Sequence, residues 1–432
     1  MRTFFPFPVN DIERFKQDLL QSAHRFDHFC FLDSNNYPDY PYSTFGSFFA
    51  IDAIATLSVD KDCLSELESF REQHQDWLFG YISYDVKNEI EPGLISQHID
   101  GIGNPLLHFF VPKFIVKIEK GKIEIGIHCT VEDEQEHVLT EFRKILDESA
   151  SAVAFSSTIH LQHRMSRQEY ITAVETIRQD IQRGDIYEMN FCQEFYAENA
   201  EIEPLSVFKK LNNLSMAPFS CYLKNKDKHL LCASPERFLK RVQHTLISQP
   251  IKGTRRRLQE EQQDKQLKQE LFLDEKERSE NVMIVDLVRN DFSKVAQQDS
   301  VKVEELFGIY TFEQVHQMIS TITCKVYPDI TFSDIITAVF PMGSMTGAPK
   351  MAAMRLIEKY ERTKRGLYSG CVGYITPKGN FDLNVVIRSI LYNQTDKYIS
   401  IQAGSAITID CDAEKEYEEC LLKAKAMMEA LK

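Results

Sequence analysis

The chain has 432 residues, 43% hydrophobic and 26% charged, with a formal charge of −14. That balance excludes a disordered or fibrous chain and gives no clustered basic surface of the kind nucleic acid demands. The one basic run, Arg255-Arg256-Arg257, is answered by Glu260, Glu261 and Asp264.

The N-terminus, Met1 to Pro8, lacks the apolar stretch of about 7–15 residues that a secretory signal needs, and Pro6 and Pro8 would interrupt one. No apolar run approaches the roughly 20 residues of a membrane span. Ten cysteines occur without a C-x-x-C pair or a framework spacing, which fits reduced thiols. A cytoplasmic protein is expected, partnered by neither membrane nor nucleic acid.

Residues 1–160 alternate strand-like runs such as Phe109–Ile118 and Ile123–Cys129 with turns such as Glu119–Lys122. A helix opens at Ser166, with Glu169 completing a capping-box pattern, and runs to about Arg183 before Gly184 ends it. The catalytic part is expected over 161–432, with the N-terminal part contributing strands. Strand-like Phe219–Leu223 and Leu230–Ala233 follow, then a long charged helix from about Leu258. Further strands are predicted over Val315–Val326, Gly370–Thr376 and Phe381–Tyr392. The order does not repeat as β-α-β-α, which favours an α+β fold with large antiparallel sheets.

Several groups can carry chemistry. In Glu277-Arg-Ser-Glu280, a helical reading aligns Glu280 with Ile284, Leu287 and Asp291, and puts Glu277 one turn before them on that face. Carboxylates extending an apolar face need a partner or a cation; alternatively they are first-turn acids facing the helix dipole. Glu416 and Glu419 repeat the i, i+3 spacing in the last helix. They flank its core stripe and read, alone, as solvated. If the two helices meet, four carboxylates form an all-oxygen site that suits Mg²⁺.

Lys252, in Gln249-Pro-Ile-Lys252-Gly253-Thr254, can act as a nucleophile if its pKa falls. The turn Gly343-Ser-Met-Thr-Gly347-Ala-Pro-Lys350 offers backbone N–H groups to an anion but does not match a phosphate loop. Arg388 falls on a strand pattern with Asn384, Val386 and Ile390 and needs an anionic partner from protein or substrate. His316, on a face with Met318 and Ile322, reads as a satisfied core histidine. Cys371, in Ser369-Gly-Cys371-Val-Gly373, lacks the glycine a nucleophile elbow wants at 369 and is discarded as a catalytic thiol.

Together, Ser234-Pro-Glu236-Arg237-Phe238, Pro250-Ile-Lys-Gly-Thr254, Glu277-Arg-Ser-Glu280-Asn, Asp286-Leu-Val-Arg-Asn-Asp291, Gly343 to Lys350, Tyr368-Ser-Gly-Cys-Val-Gly-Tyr374 and Ile387-Arg388 resemble the chorismate-utilising family. The match runs in unbroken order over about 165–430. The resemblance implies two large antiparallel sheets packed together and wrapped by helices, with chorismate bound beside Mg²⁺. It implies Glu280 and Glu419 as principal metal ligands, with Glu277 and Glu416 supporting them. Gly253, Thr254, Tyr368, Arg388 and Gly404-Ser405-Ala406 match the substrate-holding positions, Ala406 standing where relatives have glycine.

Lys252 points to the aminodeoxychorismate-forming branch, since anthranilate- and isochorismate-forming members typically have alanine there. The implied mechanism has Lys252 attack C2 of chorismate while Glu236, as general acid, releases the C4 hydroxyl. Ammonia from a separate glutamine amidotransferase subunit then adds at C4, with His316 near the reacting ring. Glu188 departs from the glutamine usual in aminating relatives and from the lysine of isochorismate-forming ones. It can serve as a base toward ammonium or water. Phe31-Leu-Asp-Ser34-Asn looks like the segment where relatives hold tryptophan. The alternatives are an anthranilate-forming component and a catalytically silent, chorismate-binding regulatory subunit.

Overall fold

The computed structural model describes residues 2–37, 42–43, 46–128, 132–147 and 159–432. Cys129, at the end of one predicted strand, lies outside them; the other nine cysteines are free and buried.

One long strand, Leu107–Glu119, organises the molecule. Its second half pairs with Ser47–Ile51 of the strand Ser47–Val59, and its first half pairs with both the end of that strand and Leu78–Ile82. Two long antiparallel arms leave it, beside a short ribbon made of Lys122–His128 and Arg2–Pro6. One runs through Ser47–Val59, His28–Asp33, Phe219–Asn225, Lys228–Ser234, Ser389–Asn393 and Tyr398–Ile407 to Glu188–Ala197. The other runs through Leu78–Ile82, Cys371–Ile375, Phe381–Val385, Arg237–Val242 and Thr245–Gln249 to Val315–Lys325, which also pairs with Ile251–Arg256. Every ladder between these strands is antiparallel, as expected of the α+β reading.

Side chains alternate across each strand, and the three main cores show where the faces go. Cys30, Phe48, Phe79, Phe110, Leu223, Leu230, Val372 and Leu391, drawn from both arms, share one cluster between the sheets. The outer face of the first arm is covered by helices including Arg167–Gln182 and Ala413–Ala430. The outer face of the second is covered by Cys63–His74, Glu275–Ser293 and Phe332–Val339. Each fully buried aromatic contributes about 1.5–3 kcal/mol relative to exposure, so the two sheets are held by a continuous apolar filling.

The helix Arg167–Gln182 begins with the Ser166/Glu169 capping box and ends at Arg183, as the sequence suggests. Two expectations are corrected. The long charged helix is two helices, Glu261–Leu273 and Glu275–Ser293, broken at Asp274, whose extended ψ of 112° stops the first while its carboxylate caps the second by accepting from the Glu277 amide at 3.0 Å. The predicted strand over 381–392 is likewise split into Phe381–Val385 and Ser389–Asn393, because Arg388 takes a left-handed φ of 53°. Among the described residues no helix is long and apolar enough to cross a membrane.

Candidate active site

The register between Ile251–Arg256 and Val315–Lys325 slips between Ile251 and Thr254, where three steps on one strand oppose two on the other. The slip is a bulge, and Lys252 and Gly253 occupy it. Gly253 has φ +87°, and an added Cβ would lie 3.0 Å from Leu271 Cδ1 and 3.2 Å from Glu277 Oε2. Glycine is therefore required both by the left-handed backbone and by the close approach of the Glu275–Ser293 helix.

The bulge carries the Lys252 ammonium to 3.1 Å from Glu188 Oε1 and 3.7 Å from Glu280 Oε2. Burial opposes the lysine's charge, but Glu188 and Glu280 outweigh it and hold the group above the usual lysine range, the reverse of the fall that the sequence reading asks of a nucleophilic Lys252. Glu188 is set opposite Ala348 by the short strand Gly347–Ala348. The glycine-rich turn thus lies against Glu188, and Lys350 at its end is an ion-pair partner of Asp291. Glu188 is 2% exposed, burial pushes its carboxyl up, and its second oxygen has no hydrogen-bond partner. Glu236 is also buried. Desolvation drives its carboxyl up to about 7, against the opposing pull of Ser344 and Lys252. A small cavity lined by Glu236, Pro250, Asp291 and Ser344 opens beside it.

The four glutamates face one another from two helices but do not form one closed cluster. Glu277 is drawn to Arg255 at 3.1 Å, and Glu419 to Lys423 at 2.7 Å. Glu280 and Glu416 instead bracket the Lys276 ammonium at 3.7 and 3.8 Å. Glu416 is 3% exposed, unlike the solvated residue its sequence position alone suggests. Among the described residues no three His, Cys, Asp or Glu side chains are gathered closely enough to hold a metal. The donor set still fits a hard divalent cation: the donors are carboxylate oxygens, and an ammonium already occupies a place between two of them.

The substrate-holding positions lie on the neighbouring strands. An added Cβ on Gly404 would meet Phe191 O at 2.1 Å and Cys192 Sγ at 2.7 Å, so the adjoining strand dictates glycine. Its carbonyl accepts from Lys423 Nζ at 3.0 Å. Ser405 is buried, Ala406 is partly exposed and Thr254 is exposed, and Tyr368 Oη lies 3.5 Å from Cys192 Sγ. Arg388 makes one bond, from Nη1 to Lys423 O at 3.3 Å. It has no carboxylate partner among the described residues. Its guanidinium keeps its capacity for a planar anion such as a carboxylate.

His316 is placed differently. Nε2 lies 3.0 Å from Asp264 Oδ1 and Nδ1 lies 3.0 Å from Thr311 Oγ1, so both nitrogens are occupied. The Leu258 amide foremost, then His316 and Arg257, hold the Asp264 carboxyl down to about 2. The structure therefore gives His316 no bond to Lys252 or Glu236, and the core reading of this histidine describes its surroundings. Sequence reasoning missed Lys276, Lys423 and Asp264. The first two stand four residues from Glu280 and Glu419, a spacing that signals side-chain pairing on a helix.

Buried titratable groups with strongly shifted pKa values cluster at functional sites, and the two-sheet frame around them narrows the class. The chain belongs to the family of chorismate binding enzymes, which matches residues 28–429. It is 38% identical over 277 residues to aminodeoxychorismate synthase component 1 of Salmonella typhimurium, a match covering 64% of this chain and 60% of that protein's length. It is 30% identical over 368 residues to anthranilate synthase component 1 of Aquifex aeolicus, covering 82% and 74%. The solved anthranilate synthase component I of Streptococcus pneumoniae superimposes with a TM-score of 0.79 at 26% identity, covering 90% of this chain and 93% of that one.

Proposed function

We propose that the chain is the chorismate-aminating component of an aminodeoxychorismate synthase, a cytosolic enzyme making 4-amino-4-deoxychorismate for para-aminobenzoate and folate. The observation that carries this reading is the Lys252 side chain, largely enclosed at a bulge with Nζ 3.1 Å from Glu188 and 3.7 Å from Glu280. Lysine is the residue that separates an aminating route through a covalent intermediate from direct addition at the ring. The match to the Salmonella component supports the same branch.

In this reading Glu188 accepts the proton that Lys252 sheds. Nζ then bonds to C2 of chorismate, both conjugated ring double bonds shift by one place, and the C4–O bond breaks as Glu236 delivers a proton to the departing hydroxyl, which leaves as water. A carboxyl at about 7 suits that transfer, since half of it is protonated near neutrality. Ammonia adds at C4, both double bonds return to their original places, and the C2–Nζ bond breaks to release the lysine. Arg388 and the backbone near Gly404 hold the substrate's carboxylates. Glu280 and Glu419, supported by Glu277 and Glu416, would hold Mg²⁺, which supplies a fixed positive charge for a carboxylate when bound. His316 supports the strand carrying the site through Asp264. The ammonia comes from a separate glutamine amidotransferase subunit.

Product analysis with chorismate, Mg²⁺ and ammonium tests the reading. Wild type is expected to give aminodeoxychorismate, and Lys252→Ala to lose it by at least about 10³-fold, the scale of losing a nucleophile. Anthranilate with pyruvate from the wild type would assign the chain to anthranilate formation instead. Chorismate binding without turnover would assign it a regulatory role.

A further inference from the structure

Glu280 and Glu416 are buried carboxylates that face each other from two different helices. Two such charges repel, and neither is tolerated in a poorly hydrated place without a compensating cation. For Glu280 the Lys252 ammonium provides part of that compensation. For Glu416 the described residues provide one ion-pair partner, Lys276, and that same ammonium also faces Glu280.

We infer that Lys276 is a resident counter-cation, holding the place of the divalent ion between Glu280 and Glu416 and leaving when the ion enters. The inference rests on reading those two glutamates as metal ligands. Three features of Lys276 suit it to the part. Its Nζ is 3.7 and 3.8 Å from the two carboxylate oxygens, too far for good hydrogen bonds, so charge holds it and not directional bonding. Its side chain is 56% exposed, so the stem already lies along an exit to water and the head can follow without repacking. Its backbone belongs to the first turn of the helix that carries Glu280, anchored by the Asp274 cap, so departure of the head leaves the carboxylates in place.

The arrangement has a functional consequence. A site with four carboxylates and no cation would splay, whereas one neutralised internally keeps its shape and waits for its ion. Metal binding becomes an exchange of one cation for another, weaker than it would be to bare carboxylates. Lys423 cannot play the same part for this pair, because it is engaged with Glu419 at 2.7 Å and with Gly404 O at 3.0 Å.

Calorimetric titration of Mg²⁺ into the chorismate-free full chain tests the inference, comparing wild type, Lys276→Met and Lys415→Met. Lys415 is an exposed neighbour of Glu416 in sequence and controls for simple loss of positive charge. Lys276→Met is expected to bind Mg²⁺ on the order of fivefold tighter, the scale of one solvent-accessible ion pair, with Lys415→Met unchanged. In parallel, acylation of wild-type lysines read by mass spectrometry is expected to show Lys276 becoming more reactive when Mg²⁺ is added. Equal or weaker binding by Lys276→Met, or Lys276 labelling indifferent to Mg²⁺, overturns the inference while leaving the metal site standing. Absence of Mg²⁺ binding in all three proteins overturns the metal reading and the inference together. If Lys276→Met fails to fold, the labelling of the wild type decides alone.

Discussion

Two regions with buried charge lie close together and are built on opposite plans. In the first, Arg365 meets Glu361 through two parallel bonds at 2.9 and 2.6 Å, and its remaining donors reach Met345 O, Asn190 O and Ser369 Oγ. In the second, Arg388 makes one 3.3 Å bond to a backbone carbonyl, and Glu188 spends one oxygen on Lys252 and leaves the other bare. The first region is saturated and has nothing to offer a ligand. The second holds capacity in reserve, and the comparison teaches that partner count, more than burial, distinguishes the two regions.

Substitutions should divide along the same line. Removing the acid of the open region has the largest expected effect: Glu236→Gln should lower the rate of chorismate amination by about 10²–10⁴-fold, the contribution of a positioned general acid, with unfolding unchanged. Its pH signature follows from the carboxyl at about 7. In the proposed role the protonated form is the working one, so wild-type kcat/KM should show an alkaline limb that falls about tenfold per unit above pH 7. The glutamine variant should lack that limb. A rate indifferent to the substitution would remove Glu236 from the chemistry.

Next in size comes Arg365→Met in the closed region. Breaking a buried, multiply bonded pair strands Glu361 and costs about 3–5 kcal/mol, measurable as a lowered midpoint in urea. A loss under 1 kcal/mol would show that the cluster is not structural. Smallest in stability terms is Arg388→Met, which gives up a single long bond and should unfold like wild type. Its effect should appear as a KM for chorismate raised at least about tenfold, as expected for losing a charge-assisted contact. An unchanged KM would place the substrate elsewhere.

What the sequence reveals divides by distance along the chain. Local signals were legible: the Ser166/Glu169 box fixes one helix start, and the i, i+3 glutamates mark both helices of the site. The break at Asp274 was missed: Asp274 caps the Glu277 amide three residues on, but the charged run on both sides masks that pattern. The order of elements favoured antiparallel sheets, yet the division of Phe381–Tyr392 was hidden, because alternation continues through Arg388 while its φ does not. Least legible were pairings across the chain. Nothing near Lys252 announces Glu188, 64 positions away, and nothing near His316 announces Asp264. Those contacts come from the sheet and the bulge, and only the family motifs foreshadowed that these segments share a site.

The strand Leu107–Glu119 and its neighbours have a bearing on how this chain tolerates being cut. Phe219–Asn225 is bordered on one side by His28–Asp33, and Cys371–Ile375 by Leu78–Ile82. A fragment beginning after residue 160 would therefore present two long apolar strands with bare N–H and C=O rows, one in each sheet, together with half of the filling between them. Such rims template pairing with other chains, so the fragment would gather into β-rich aggregates before its carboxylates met a substrate.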